Sequence, residues 1–167
     1  LEATRAPYLD RLLEDPRVEI DRKDKDGWTA LHWASWSGLD RLSDMLIERK
    51  ADINNREGNG FTPLMLAAMR GNFQVAALLL EKGADMTAVN KFGKNALQLA
   101  EEGALAYQSS FDLTKTEVSK APVDSFIRAY EKAVAGLPPE HAPEFMEAMK
   151  KAVGRQSFVE TGYVLQL

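Results

Sequence analysis

Asp26-Gly27-Trp28-Thr29-Ala30-Leu31-His32-Trp33-Ala34 comes back thirty-three residues later as Asn59-Gly60-Phe61-Thr62-Pro63-Leu64-Met65-Leu66-Ala67, and again as Phe92-Gly93-Lys94-Asn95-Ala96-Leu97-Gln98-Leu99-Ala100. Gly27, Gly60 and Gly93 keep the interval without slippage. A fixed period of this length signals stacked supersecondary units, each unable to bury its apolar face alone. Working outward, Leu12-Leu13, Met45-Leu46 and Leu78-Leu79 fall at the same interval, and Val18-Glu19-Ile20-Asp21 aligns with Ala51-Asp52-Ile53-Asn54 and Ala84-Asp85-Met86-Thr87.

The run Gly60-Phe61-Thr62-Pro63-Leu64-Met65-Leu66-Ala67-Ala68, followed by Leu79-Leu80-Glu81-Lys82-Gly83-Ala84-Asp85, resembles the ankyrin repeat. The resemblance covers about residues 5–106 and implies an all-α solenoid of helix-turn-helix units joined by short β-hairpin loops. It divides residues 1–106 into a partial repeat (1–23), repeats at 24–56 and 57–89, and a degenerate repeat (90–106). Residues 107–154 then form a helical extension packed on the last repeat, and 155–167 an extended tail.

Local signals support these units. Pro16 stops a first helix carrying Tyr8, Leu9, Leu12 and Leu13 on one face. Thr29 is placed to N-cap a helix opening at Ala30 and ending near Gly38. A second helix covers Asp40 to Arg49, with Leu42, Met45 and Leu46 inward. Lys50 stands where the family has Gly, at a cost of order 1 kcal/mol if its backbone is left-handed. Thr62-Pro63 gives an N-cap followed by Pro at the first helical position. Gly71 closes that helix, and Gly83 ends the next, built on Val75, Leu78 and Leu79.

The third repeat decays. Asn95 replaces the capping Thr, Ala104 the helix-closing Gly, and Phe111-Asp112 the Leu-Leu pair. Ser109 to Thr114 reads as a loop, with Thr114 and Glu117 spaced for a capping box. Two apolar stripes follow, Val123, Phe126, Ile127, Tyr130, Val134 and Leu137, then Ala142, Phe145, Met146, Met149, Ala152 and Val153. They predict a helical pair around Pro138-Pro139, serving as the cap a solenoid end requires.

Composition limits function. One domain's length of 167 residues permits burial of roughly 70% of the unfolded surface. Net charge −4 argues against a nucleic-acid binder. Without cysteine there is no disulfide, thiolate metal site or thiol nucleophile. No apolar run approaches the ~20 residues of a membrane span, and no Asn-x-Ser/Thr acceptor occurs. These features fit an intracellular protein, in the cytoplasm or an organelle interior. Beginning at Leu1, the chain reads as a processed product or part of something longer.

Catalytic patterns are nearly absent, and neither an enzymatic activity nor a cofactor is expected. No Gly-x-Ser-x-Gly elbow exists. The Asp-rich stretch 21–27 fails as a calcium loop, since its first ligand position is Arg22 and its bidentate position Trp33. Gly58-Asn59-Gly60 meets Pro63 where a dinucleotide loop needs its third glycine. His32, by the resemblance, hydrogen-bonds loop backbone between repeats.

The resemblance also places the residues just before and just after the hairpin Gly, and residues late in each first helix, on a concave face. Trp28, Trp36, Phe61, Met69 and Phe92 are thereby expected as apolar anchors of a protein partner, with Arg70 and Lys94 beside them. Lys25, Arg56 and Lys91 add to a rim expected to be locally positive, so the expected partner is an apolar segment with some acidic character. Trp33 belongs to the core between repeats if the patch is covered internally. Two alternatives stand beside this reading: the C-terminal helices or tail cover the patch internally, or the chain is a structural subunit of a larger assembly, docked through those elements.

Overall fold

The computed structural model describes residues 10–110 and 121–137, with residues 140 and 143. Among the described residues there are seven helices and no strand. They are α1 (10–14), α2 (Ala30–Ser37), α3 (Asp40–Glu48), α4 (Pro63–Met69), α5 (Phe73–Glu81), α6 (Ala96–Ser110) and α7 (Ala121–Ala135). The hairpins expected between repeats are tight loops: Asp24, Glu57 and Asn90 each donate N–H to the carbonyl of Trp28, Phe61 and Lys94, and no ladder forms.

Helix starts follow the local chemistry. Thr29 caps α2 in a reciprocal box, its hydroxyl accepting from the His32 N–H while the imidazole accepts from the Thr29 N–H. Thr62 caps α4, with Pro63 at the first helical position where no N–H is needed. Gly38 ends α2 at φ 72° and Gly83 follows α5 at φ 92°; Lys50, in the corresponding place after α3, adopts φ 66° despite its Cβ.

The period reappears in packing. Leu31, Leu64 and Leu97 are buried, as are Ala34, Ala67 and Ala100. The small alanines let α2, α4 and α6 lie side by side, with α3 and α5 behind them. Met45 and Leu46 of α3 and Val75 and Leu79 of α5 close the core, with Leu42 half-buried. Loops repeat too. The Asp52 N–H donates to Asp21 at 2.9 Å and the Asp85 N–H to Asn54 at 2.8 Å. Lys23 Nζ donates to the Arg56 carbonyl, and the Arg56 guanidinium to the Val89 carbonyl.

The third repeat departs from expectation twice. Asn95 is a full cap rather than a weak one: its carboxamide accepts from the Gln98 N–H and the Gln98 side chain accepts from the Asn95 N–H, both at 2.9 Å. With Ala104 in place of a left-handed Gly, nothing terminates α6, and it runs on to include Ser109 and Ser110, which the sequence suggested were loop. Gly103 permits close approach to α4, since a Cβ there would strike the Met69 carbonyl.

α7 packs against α5. Its Ala129, Tyr130 and Val134 are buried in the common core, and Leu137 packs against it. Burial pushes the Tyr130 phenol up. The expected features at residues 1–9, 111–120 and beyond 137, including the second stripe and the tail, lie outside the described residues apart from 140 and 143.

Candidate functional site

A groove of about 630 Å³ opens between the loop and inner helix of repeat one and those of repeat two. Asp26, Trp28, Trp33 and Trp36 line one side, and Glu57, Gly58, Asn59, Phe61, Leu66 and Met69 the other. Four of the expected anchors, Trp28, Trp36, Phe61 and Met69, are thus brought together. Phe92, 65% exposed, extends the surface by an edge contact to Phe61 at 6.3 Å.

The aromatic packing is specific. Trp28 sits 4.6 Å from Trp33 and meets Trp36 edge-on at 5.7 Å between ring centroids. Arg70 lays its guanidinium carbon 4.5 Å from the Trp36 ring centroid, a cation–π contact worth about 0.5–1 kcal/mol at an exposed position. Trp33 is not buried between repeats: it is 49% exposed and joins the groove wall. Among the described residues no inner helix precedes α2 to cover that flank.

Asp24 holds this cluster, and sequence reasoning passed over it. Its carboxylate accepts from the backbone N–H of Trp28 and of Asp26 and from the Trp33 indole, each at 2.9 Å. The Trp28 N–H and then the Trp33 indole hold the carboxyl below its ordinary range. Glu57 fixes the next loop likewise, accepting from Asn59 at 2.7 Å and Phe61 at 3.0 Å, and Asn90 does so for Phe92 and Lys94. The signal was present as three side-chain acceptors at the repeat interval, Asp24, Glu57 and Asn90.

His32 is a structural tie, as expected. It is fully buried, with Nε2 3.0 Å from the Phe61 carbonyl and Nδ1 2.8 Å from the Thr29 hydroxyl. Because Nδ1 accepts the Thr29 N–H, the neutral tautomer carries its proton on Nε2 and donates it to Phe61, joining the two walls of the groove. Burial lowers its pKa.

The lining of the groove carries Asp26 and Glu57 and no Lys or Arg. Lys94 pairs with Glu102 at 2.6 Å, Arg56 reaches the Val89 carbonyl, and Arg70 lies on Trp36. Among the described residues, no group of three or more His, Asp or Glu could hold a metal ion, and no helix is long and apolar enough to cross a membrane.

Comparison with known proteins agrees with this architecture. Two family models, each described as ankyrin repeats (many copies), match residues 46–100 and 3–43. No curated protein matches. The two matches together span more than half of the sequence and both belong to one family; with the thirty-three-residue frame and the stacked helices, they establish that the chain belongs to the ankyrin-repeat family.

Proposed function

We propose that the chain is a non-enzymatic adaptor that holds a segment of a partner protein in the aromatic groove on its concave face. Ankyrin repeats are generally protein–protein interaction modules, and members of the family are typically non-enzymatic. The observation that carries the reading is the clustering of Trp28, Trp33, Trp36, Phe61 and Met69 around one open groove, with Phe92 exposed beside it. The core does not demand aromatic groups there, and large rings on a preformed surface supply contact area at little cost in ordering.

The test is affinity purification with mass spectrometry, wild type beside the Trp28→Ala/Phe61→Ala double variant and the milder Trp33→Ser. Loss of specific partners in both variants with unchanged far-UV circular dichroism is the expected result; undiminished capture refutes the reading. The assembly-subunit alternative draws less support, because Ala129, Tyr130 and Val134 of α7 are buried in the chain's own core rather than offered outward.

A further inference from the structure

We propose that the groove recognises an arginine side chain on the partner segment, seated against Trp28 between Asp26 and Glu57. The inference rests on the concave-face reading above and gives the partner its charge. Its basis is an imbalance. Asp26 and Glu57 line the groove, Asp24 accepts from the indole of its Trp33, and none of the three forms an ion pair among the described residues. Asp24 is held ionised by its three N–H donors. The Asp26 side chain is exposed and receives no hydrogen bond from its neighbours, leaving its oxygens for an incoming donor.

Negative charge beside the π-faces of indole rings is the environment a cation seeks, since ring quadrupole and carboxylate attract it together. Arginine suits this place better than lysine. Its planar guanidinium stacks on a ring and forks to a carboxylate at the same time, which an ammonium cannot do. The protein itself supplies half of the pattern beside Trp28, where Arg70 stacks on Trp36. Trp28 has Asp26 on its own side of the groove and Glu57 on the other, and among the described residues no guanidinium lies over its ring. An acidic segment would meet Asp26 and Glu57 with like charge.

The chain's three tryptophans are Trp28, Trp33 and Trp36, so tryptophan emission, excited where tyrosine does not absorb, reports this cluster alone. The full chain is titrated with acetyl-Ala-Leu-Arg-Leu-Ala-amide and with the same peptide carrying citrulline, lysine or glutamate centrally. Expected is a saturable emission change with the arginine peptide, at least tenfold weaker with citrulline and absent with glutamate. Raised salt and Asp26→Asn should weaken the arginine response several-fold. Equal response to arginine and citrulline, a preference for glutamate, or no saturable response to any peptide overturns the proposal; lysine equal to arginine overturns the choice of a guanidinium. Failure here with partner capture still lost in Trp28→Ala/Phe61→Ala sinks the arginine alone, whereas undiminished capture sinks the groove reading beneath it.

Discussion

Repeats one and two share a frame and differ in what they hang on it. Position for position, Trp28 answers to Phe61, His32 to Met65, Trp33 to Leu66, Trp36 to Met69 and Lys50 to Gly83. Leu66 is 2% exposed under the flanking inner helices α2 and α6, whereas Trp33 is 49% exposed. Repeat two is the better folding unit and repeat one the better surface. The leucines and alanines that seal the stack obey the period, while Trp28, Trp33 and Trp36, which line the groove, depart from it.

That contrast can be broken at the core, where the two repeats should behave alike. Leu79→Ala is expected to lose about 2–5 kcal/mol in urea unfolding, and Leu46→Ala a loss in the same range, because both are sealed in equivalent positions. A loss at Leu46 below ~1 kcal/mol would show that repeat one is not held by the shared frame. Next come the turns after α3 and α5. Lys50→Gly should gain about 1 kcal/mol and Gly83→Lys lose about as much, since each residue sits in the left-handed region. Equal and small effects in both directions would mean the turn conformation is not what separates the repeats. Thr62→Ala should lose about 1 kcal/mol, read from thermal melts, by leaving the Met65 N–H without its cap.

The smallest effect has a definite sign. His32 has a folded pKa below its unfolded value, so the unfolded chain binds more protons in that window. Its stabilising contribution is therefore complete above the unfolded imidazole pKa and is lost as pH falls through that value toward the folded one. Denaturation midpoints should drop on acidification from neutral pH, and His32→Gln, which copies the Asn95–Gln98 box, should flatten that dependence. An unaltered slope in the variant would place the titrating group elsewhere.

How much of this was legible depends on range. Thr29, Thr62-Pro63, Gly38, Gly83 and the strained Lys50 could be read because a cap or turn is decided within a few residues. The Asn95–Gln98 box was hidden by treating Asn as a lapse from Thr, although both side chains accept an N–H. The fate of Trp33 depends on which helix stands beside α2, and no local pattern encodes that. Where long side chains turn is not legible from a count of Lys and Arg; Lys94 leans onto Glu102 and Arg70 onto Trp36. Asp24, which orients two of the tryptophans, shows that acceptor identity at the repeat interval is as informative as apolar identity.

The way α7 reaches α5 bears on how this chain can grow and fold. Successive outer helices α3 and α5 meet after one repeat length, whereas the span from α5 to α7 is longer by less than double. Closure entropy rises only logarithmically with span, so the longer reach adds under ~0.6 kcal/mol to the docking of α7. An architecture tied mainly between sequential neighbours thus accepts inserted chain at this junction almost for free, while the same insertion inside a repeat would throw every cross-loop tie, from Asp21–Asp52 to Asn54–Asp85, out of phase.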